Sequence, residues 1–193
     1  MKILYQGSPG AYSHMAALEV YPNAKIIPCK TFDECFSKAI EDEKVRIIIP
    51  ESNRITGNIG VEYLIFKYRL NIYAEHFHPV QHNLLGLPGS KTKDIKHVFS
   101  HAQALSQSSS FIKKNKLIEN VRADTAGSAA YIASNKKRDE AAIASKLSAK
   151  IYNLDILESN IENEKGNVTR FLIMGKLTLQ PELKEKKYIT SFL

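Results

Sequence analysis

The amino-acid sequence predicts an α/β fold, and three observations support this prediction. Short runs rich in Val, Ile and Leu recur along the chain, as they do in proteins with buried strands. Segments with a helical spacing of apolar residues separate these runs, so strands and helices alternate. Apolar residues make up 44% of the 193 residues, which suffices for the core of one compact domain or of two small lobes.

Apolar runs of strand length predict the β-strands, which occupy residues 3–5, 45–49, 70–74, 84–87, 98–99, 141–144 and 168–174. Between these runs, helical patterns predict helices near residues 11–21, 31–40, 61–68, 101–114, 126–134 and 146–152. The helix that begins at Thr31 has the clearest pattern, because the Thr31 hydroxyl can cap its first turn and Glu34 can reach back to the preceding backbone. Its apolar face is expected to bury Phe32, Cys35, Phe36, Ala39 and Ile40.

Composition and charge argue against several classes of protein. The net charge is +7, but the lysines are scattered, without a long basic run or interleaved aromatic residues, so no nucleic-acid partner is expected. No run of 18 apolar residues could span a membrane, and the residues after Met1 do not form a signal peptide. A cytoplasmic location is therefore expected, with Cys29 and Cys35 as reduced thiols in the core.

Two histidines raise the question of a metal site. His76 and His78 would point to the same side of a strand, as metal ligands can. No carboxylate or cysteine close to them in the sequence completes a ligand set, so no metal is expected. The chain also lacks a G-x-G-x-x-G loop, a Gly-Lys-Ser/Thr loop and a G-x-S-x-G elbow, so neither a nucleotide cofactor nor a hydrolytic triad is expected.

Three junctions between a strand and a helix carry small or hydroxyl residues, at residues 7–13, 100–103 and 124–128. Free backbone N–H groups at a helix start favour a bound carboxylate, and a serine or threonine hydroxyl adds a directed donor. Ordinary N-capping would use the same residues. Because such junctions face one crevice in open α/β sheets, together they predict a site for a ligand with several acidic groups.

Three motifs resemble those of one enzyme family. Residues 7–14 (GSPGAYSH) look like the opening motif of prephenate dehydratases. Residues 99–107 (FSHAQALSQ) are similar to the family's S-H-P-Q-x-x-x-Q segment, and residues 167–171 (NVTRF) match its N-x-T-R-F signature. The likeness covers about residues 3–176, so the chain resembles a prephenate dehydratase catalytic domain over most of its length.

The resemblance implies a two-lobed α/β domain like the type II periplasmic binding proteins, with the active site in the cleft between the lobes. The catalytic domain would occupy residues 1–177, with lobe 1 at about 1–75 plus 168–177 and lobe 2 at about 76–167. The chain would cross between the lobes near residues 75–79 and 166–168. Residues 178–193 would be a linker and the truncated start of an ACT regulatory domain.

The implied reaction is the decarboxylation and dehydration of prephenate to phenylpyruvate on the route to phenylalanine, catalysed by a homodimer without a cofactor. Two alternatives stay open at this point. Arogenate dehydratase is one, because an amino group in place of the keto group changes few contacts. A non-catalytic module of the same fold that binds a small anion is the other.

The family's motifs also imply the site residues. Catalytic roles fall to Thr169, Asn53, Ser100 and Gln107, with Thr169 contacting the departing hydroxyl. Substrate-binding roles fall to Gly10, Ala11, Tyr12, Ser13, Gly57, Thr125, Ala126, Arg170 and Phe171. The strand period puts Thr169 and Phe171 on one side and Arg170 on the other, which favours an ion pair for Arg170 over a substrate contact.

One motif departs from the family. Where the family usually has P-I-E-N-[ST]-x-x-G, residues 50–57 read PESNRITG. Pairing without gaps puts Ser52 at the family's glutamate, and a local shift of the backbone would let Glu51 take its place. The role of that glutamate is therefore open in this chain.

Overall fold

The computed structural model of the chain describes residues 1–177, which form two lobes, each built on one β-sheet. The strands are β1 (Lys2–Gln6), β2 (Lys25–Cys29), β3 (Val45–Asn53), β4 (Gly57–Asn58), β5 (Asn71–Pro79), β6 (Asn83–Gly86), β7 (His97–Ser100), β8 (Ile118–Val121), β9 (Glu140–Ala144), β10 (Asp155–Glu158) and β11 (Val168–Gly175). The predicted linker and ACT start at 178–193 lie outside the described residues.

The helices are α1 (Tyr12–Val20), α2 (Phe32–Glu41), α3 (Glu62–Tyr68), α4 (Ala102–Gln107), α5 (Ser109–Lys114), α6 (Thr125–Asn135) and α7 (Lys146–Tyr152). The predicted helix over 101–114 is in fact two helices, with a break at the buried Ser108. Among residues 1–177, no helix is both long enough and apolar enough to cross a membrane.

The first lobe is a six-stranded sheet in the order β2-β1-β3-β11-β5, with β4 paired to β3. Side chains alternate between its two faces, as the strand period requires. On β3, Ile47 and Ile49 pack in the cluster that contains α2 and α3, whereas Ile48 packs in the cluster that contains α1. The lobe is therefore a sheet between two layers of helices.

The second lobe is a five-stranded sheet in the order β10-β6-β9-β7-β8. On β9, Ala141 and Ile143 join the cluster with α4 and α5, and Ala142 and Ala144 join the cluster with α6 and α7. Each lobe therefore has the same layered construction, and the predicted two-lobed α/β fold is confirmed.

Two crossings join the lobes. Strand β5 continues to Pro79 before the chain enters the second lobe, so the first sheet extends four residues past the estimated boundary at 75. The chain returns at Val168 to form β11, which inserts between β3 and β5. The strand that carries the N-x-T-R-F motif is therefore an inner strand of the first sheet.

Sequence patterns predicted the inner strands and the edge strand β5, but missed the edge strands β2, β8 and β10. Strands β2, β8 and β10 lie at the ends of their sheets, where one backbone edge is unpaired. Their sequences are KIIPC, IENV and DILE, in which charged residues or a proline shorten the apolar run. Cys29 and Cys35 are free and buried, as predicted.

A polar contact holds the two lobes together beside α1. The carbonyl oxygen of Gly10, in the first lobe, accepts hydrogen bonds from Ser145 Oγ at 2.5 Å and from Ser148 Oγ at 3.0 Å, both in the second lobe. Gly10 has φ +95°, and a Cβ there would clash with Ser148 Oγ and lie 2.9 Å from Ser148 Cα. Only glycine fits this position without a shift of the lobes.

Gly10→Ala is expected to lower the free energy of unfolding by about 2–4 kcal/mol, because backbone strain and a clash between the lobes combine. Gly57→Ala is the matched control, since Gly57 has φ +78° and nothing lies within 4 Å of a Cβ there. The Gly57→Ala variant therefore introduces backbone strain without a clash. Urea unfolding measures both, and equal losses would show that Ser148 adjusts freely.

Candidate active site

The main cavity lies between the lobes and has a volume of about 470 Å³. Its walls come from both lobes and from the crossings. Predicted site residues that line it are Ala11, Tyr12, Ser13, Asn53, Gln107, Thr125, Thr169 and Phe171. The cleft between the lobes therefore collects side chains from distant parts of the sequence, from Ala11 to Phe171.

Ser100 does not line the cavity, contrary to its predicted contact with substrate. It is fully buried, and its hydroxyl donates a hydrogen bond of 2.6 Å to the carbonyl oxygen of Ile143 on β9. Its role in the structure is to join two strands of the second sheet. The neighbouring His101 and Gln103 line the cavity instead.

Gly10, Gly57 and Ala126 also lie away from the cavity. Gly10 forms the contact between the lobes described above, and Gly57 begins β4 with a positive φ and pairs with Asn53 of β3. Ala126 has no exposed surface and packs under the first turn of α6. Their positions in the motifs reflect backbone shape and packing rather than contact with a ligand.

Arg170 faces away from the cavity, as the strand period indicated, so its assignment to substrate binding is not supported by position. Its Nε lies 2.7 Å from Glu75 Oε2 on β5, and one terminal nitrogen lies 3.3 Å from Glu51 Oε2 on β3. Glu51 also accepts a hydrogen bond from Ser52. Neither Glu51 nor Ser52 lines the cavity, so the altered motif supplies no carboxylate to the cleft.

A β-bulge sets which residues of β3 reach the cleft. Strand β11 pairs Thr169 with Asn53 and Arg170 with Ser52, but then pairs Phe171 with Pro50, so Glu51 is the extra residue. A bulge shifts the alternation of side chains by one position. Asn53 and Pro50 therefore both face the cavity, opposite Thr169 and Phe171.

Backbone amides fix the orientation of Asn53. Its side-chain oxygen Oδ1 accepts from the N–H groups of Ile55 at 3.0 Å and of Thr56 at 3.1 Å. Because both partners are donors, the oxygen must face them, and Nδ2 must face the other way. Nδ2 donates to Asn167 Oδ1 at 2.8 Å and to Thr169 Oγ1 at 2.9 Å.

The Thr169 hydroxyl is consequently an acceptor toward Asn53. Its own hydrogen has no acceptor among residues 1–177 and is left for a group in the cavity. Thr169 is almost entirely buried, which strengthens such a hydrogen bond because little water competes for it. The site therefore presents a neutral donor whose direction is set by the loop after β3.

The same chain of hydrogen bonds orients the second lobe. Asn167 Nδ2 donates to Gln107 Oε1 at 3.1 Å, so the Gln107 oxygen faces the crossing and its amide nitrogen is left for the cavity. Gln107 Oε1 lies 2.8 Å from His82 Nε2, which must carry a hydrogen to donate. His82 Nδ1 is then an acceptor, and the single hydrogen of the Tyr12 hydroxyl is shared between this nitrogen and the carbonyl oxygen of Gln81, each 2.8 Å from the hydroxyl oxygen.

Burial supports these protonation states. It raises the pKa of the Tyr12 phenol, and the Glu162 carboxylate raises it further, so Tyr12 keeps its hydrogen. Burial lowers the pKa of His82 below its usual range, against the smaller opposing effects of Gln107 and Glu162. His82 is therefore neutral near pH 7, which agrees with its place as both donor and acceptor.

Acid is expected to destabilise the protein in part through His82. As the pH falls below about 6.5, the unfolded chain binds a proton at His82 that the folded chain resists, so the free energy of unfolding falls. His14, whose pKa is also lowered by burial, acts in the same direction. Urea unfolding at pH 7.5 and 5.5 should show a smaller drop for His82→Gln than for the original chain, whereas equal drops would exclude His82 as a source.

The three predicted anion sites differ in their capping. Helix α6 is capped by Asp124, which accepts from the Gly127 amide at 2.5 Å, and α4 is capped by His101 Nδ1. Helix α1 has no side-chain cap, and Ser13 in its first turn lines the cavity. The start of α1 is therefore the junction that keeps free backbone donors for a carboxylate.

Several cavity residues escaped prediction. His82 lies just after the first crossing, and Asn167 lies just before Thr169 in the quoted motif, yet nothing in the sequence shows that both join one hydrogen-bond chain. Gln6 is the last residue of β1, and a strand end could have indicated it, next to Gly7 of the first junction. Asp124 was quoted in a junction but not assigned, and it brings a negative charge to the cavity wall.

Three side chains that could hold a metal ion come together outside the cavity. Glu19, 57 residues from His76 and 59 from His78 in the sequence, places its carboxylate against both imidazoles. One ligand atom from each of the three residues lies within 4.8 Å of the others. Glu19 is distant from both histidines in the sequence, so a search for a nearby carboxylate could not find it.

Comparisons with known proteins agree with this architecture. A model of the prephenate dehydratase family matches residues 3–178. An Arabidopsis thaliana protein named arogenate dehydratase/prephenate dehydratase 1, chloroplastic, is 42% identical over 196 residues, which is 100% of this chain and 49% of that protein. The chain thus spans about half the length of this curated relative.

Two solved structures have the same fold. One, described as a novel type of quorum quenching acylase, is 33% identical with a TM-score of 0.86, over 94% of this chain and 67% of that one. The other, a prephenate dehydratase from Arthrobacter aurescens in complex with L-Phe, is 23% identical with a TM-score of 0.86, over 94% of this chain and 62% of that one. Because the family model matches almost all of the described residues, the chain belongs to the prephenate dehydratase family.

Proposed function

We propose that the chain catalyses the decarboxylation and dehydration of prephenate to phenylpyruvate, as a carbon–oxygen lyase. One observation carries the proposal. The Thr169 hydroxyl accepts from Asn53 and so directs its hydrogen into the cleft between the lobes. A donor in this position can bind the hydroxyl group that leaves the prephenate ring.

The reaction needs little from the protein beyond binding and this donor. The ring carboxylate leaves as carbon dioxide, and its bonding electrons enter the ring as the C–O bond breaks. The departing hydroxide takes a proton and leaves as water, and the ring becomes aromatic. Thr169 is too weak an acid to give up its proton, so its role is to stabilise the charge on the oxygen, an effect worth about 10²–10³-fold in rate.

The other cavity groups fit the rest of prephenate. The open start of α1, with Ser13, is the site for a carboxylate, and the Gln107 amide can bind another oxygen. Phe32 and Phe171 supply apolar surface for the ring. The cavity volume of about 470 Å³ falls in the usual range for small-molecule sites, about 300–1,000 Å³.

Arogenate is a second candidate substrate, and Asp124 favours it. Arogenate carries an ammonium group where prephenate has a keto group, so a carboxylate in the wall can pair with it. No lysine or arginine in the described part of the chain lines the cavity. This also favours arogenate, because its net negative charge is smaller than that of prephenate. Relatives named as arogenate dehydratases, such as one from Petunia hybrida at 39% identity, agree with this choice.

The test supplies the purified chain with prephenate and with arogenate, at a pH where both are stable, and follows phenylpyruvate and phenylalanine. Formation of either product supports a dehydratase and ranks the substrates by kcat/KM. Binding of both ligands without product would instead support the non-catalytic anion-binding module. The absence of both binding and turnover would contradict the proposal.

Asp124→Asn separates the two substrates. Asparagine keeps an oxygen that can cap α6 but loses the charge. We expect kcat/KM for arogenate to fall by about tenfold relative to kcat/KM for prephenate, as for the loss of one partly exposed charge pair. The ratio of the two values in the variant and in the original chain is the measurement, and an unchanged ratio would mean that Asp124 does not contact the amino group.

The compartment and the oligomeric state stay predictions. A cytoplasmic homodimer follows from the sequence and the family resemblance. Light scattering of the purified chain gives its mass in solution, and a monomer would contradict the predicted dimer.

A further inference from the structure

We propose that Glu19, His76 and His78 form a binding site for a divalent transition-metal ion, with Zn²⁺ as the best match. This set is called the Glu19 triad below. It lies outside the cavity and stands independently of the proposed reaction.

Distances in the Glu19 triad are close to those of a metal site. Glu19 Oε2 lies 2.8 Å from His76 Nε2 and 2.9 Å from His78 Nδ1, and all three atoms lie within 4.8 Å of one another. In a tetrahedral zinc site with bonds of about 2.0–2.1 Å, ligand atoms are about 3.3 Å apart. An outward shift of Glu19 by about half an ångström brings its distance to each imidazole nitrogen to this value.

The backbone holds the two histidines in place. His76 and His78 are two residues apart on β5, so their side chains share one face of the sheet. Helix α1 packs on this face and brings Glu19 from its last turn. A carboxylate carried by a helix and two imidazoles carried by a strand can separate slightly without breaking either element.

The chemistry of the donors selects the kind of ion. Two imidazole nitrogens and one carboxylate oxygen suit Zn²⁺ and related transition metals, whereas Mg²⁺ and Ca²⁺ prefer oxygen ligands throughout. Three protein ligands leave the fourth tetrahedral position for water. The Glu19 side chain is 46% exposed, so an ion and its water can enter from solvent.

His78 connects the Glu19 triad to the wall of the cavity. Strand β11 pairs Thr169 with His78 and Phe171 with His76 on the same sheet. The His78 ring is also 6.2 Å from the Tyr12 ring and 6.5 Å from the Phe171 ring, centre to centre. An ion on the Glu19 triad would therefore clamp α1 to β5 directly beside Thr169 and Phe171, on the same face of the sheet.

Metal titration tests the proposal. Tag-free protein is treated with a chelator, freed of it, and titrated with Zn²⁺ against a chromophoric chelator; Co²⁺ in place of Zn²⁺ gives the visible absorption of a tetrahedral site. We expect one ion per chain, with affinity at least about tenfold weaker in His76→Gln and in Glu19→Gln, because each removes one of three ligands. Excess Mg²⁺ should not compete.

His97→Gln is the matched control, since it removes a half-buried histidine on β7 of the other lobe. This variant should bind as tightly as the original chain. Circular dichroism checks that each variant folds. If His76→Gln fails to fold, Glu19→Gln on the exposed last turn of α1 still provides the test. Absence of zinc binding by the original chain, or equal binding by Glu19→Gln, would overturn the proposal.

Discussion

Thr169→Val is expected to lower kcat at least about a hundredfold, because it removes the hydroxyl that stabilises the leaving oxygen and keeps nearly the same volume. KM should change little, since the interaction forms mainly as the C–O bond breaks. The variant leaves the Asn53 amide without an acceptor at this point, so a loss of stability of about 1–3 kcal/mol should accompany the loss of rate. Steady-state kinetics and urea unfolding measure the two effects.

Thr169→Ser is the matched control. It keeps the hydroxyl and removes only a methyl group, so it should recover most of the rate that Thr169→Val loses. If the serine and valine variants lost the same rate, packing of the methyl group would explain the effect. Turnover of Thr169→Val close to the original value would remove Thr169 from the reaction.

Asn53→Asp is expected to be nearly as damaging, although it hardly changes the side-chain volume. One carboxylate oxygen still accepts from the amides of Ile55 and Thr56. The other replaces Nδ2 and cannot donate, so the Thr169 hydroxyl turns its hydrogen toward the new carboxylate and away from the cavity. We expect kcat to fall at least about a hundredfold, as for the direct loss of this donor, and steady-state kinetics measure it.

Asn58→Asp controls for the added negative charge. Asn58 also lines the cavity and has no hydrogen bond to Thr169, so its new charge would act on the substrate and on the neighbouring Glu62 without turning the Thr169 hydroxyl. This control should mainly raise KM. If both aspartate variants had the same kinetics, charge repulsion would account for Asn53→Asp, and the direction of the Thr169 hydrogen would not matter.

The strand period predicted part of the site correctly. It placed Thr169 and Phe171 on one side of β11 and Arg170 on the other, which the cavity and the Arg170 ion pairs confirm. Alternation is a local property of the backbone, so a short stretch of sequence contains it. The paired partner of each residue is not local, and the bulge at Glu51, which brings Pro50 to the cavity, could not be predicted.

Contacts between distant segments account for the errors. Ser100 ends β7 just before a helix, where a ligand-binding serine can lie, but its hydroxyl donates to the carbonyl oxygen of Ile143 on the neighbouring strand β9. The predicted substrate contact of Gly10 missed its actual role for the same reason, since its partners Ser145 and Ser148 belong to the other lobe. Glu19 completes the pair of histidines only because α1 packs on β5.

The fold itself was easier to predict because burial on both faces leaves a continuous apolar signal. Strands β3 and β9 contain runs such as VRIII and EAAIA, which identify inner strands at once. Edge strands such as β8 and β10 carry charged residues that resemble those of loops. The hydrogen bonds that pair edge strands come from the backbone, which any sequence possesses.

The insertion of β11 between β3 and β5 has a consequence for biosynthesis. Residues 83–158 contain every strand of the second sheet, so this lobe can form as soon as they leave the ribosome. The first lobe cannot close until residues 168–175 emerge, and until then β3 and β5 each expose an unpaired edge. Nascent chains that stop before Val168 should therefore combine a protease-resistant second lobe with a first lobe that is prone to aggregate.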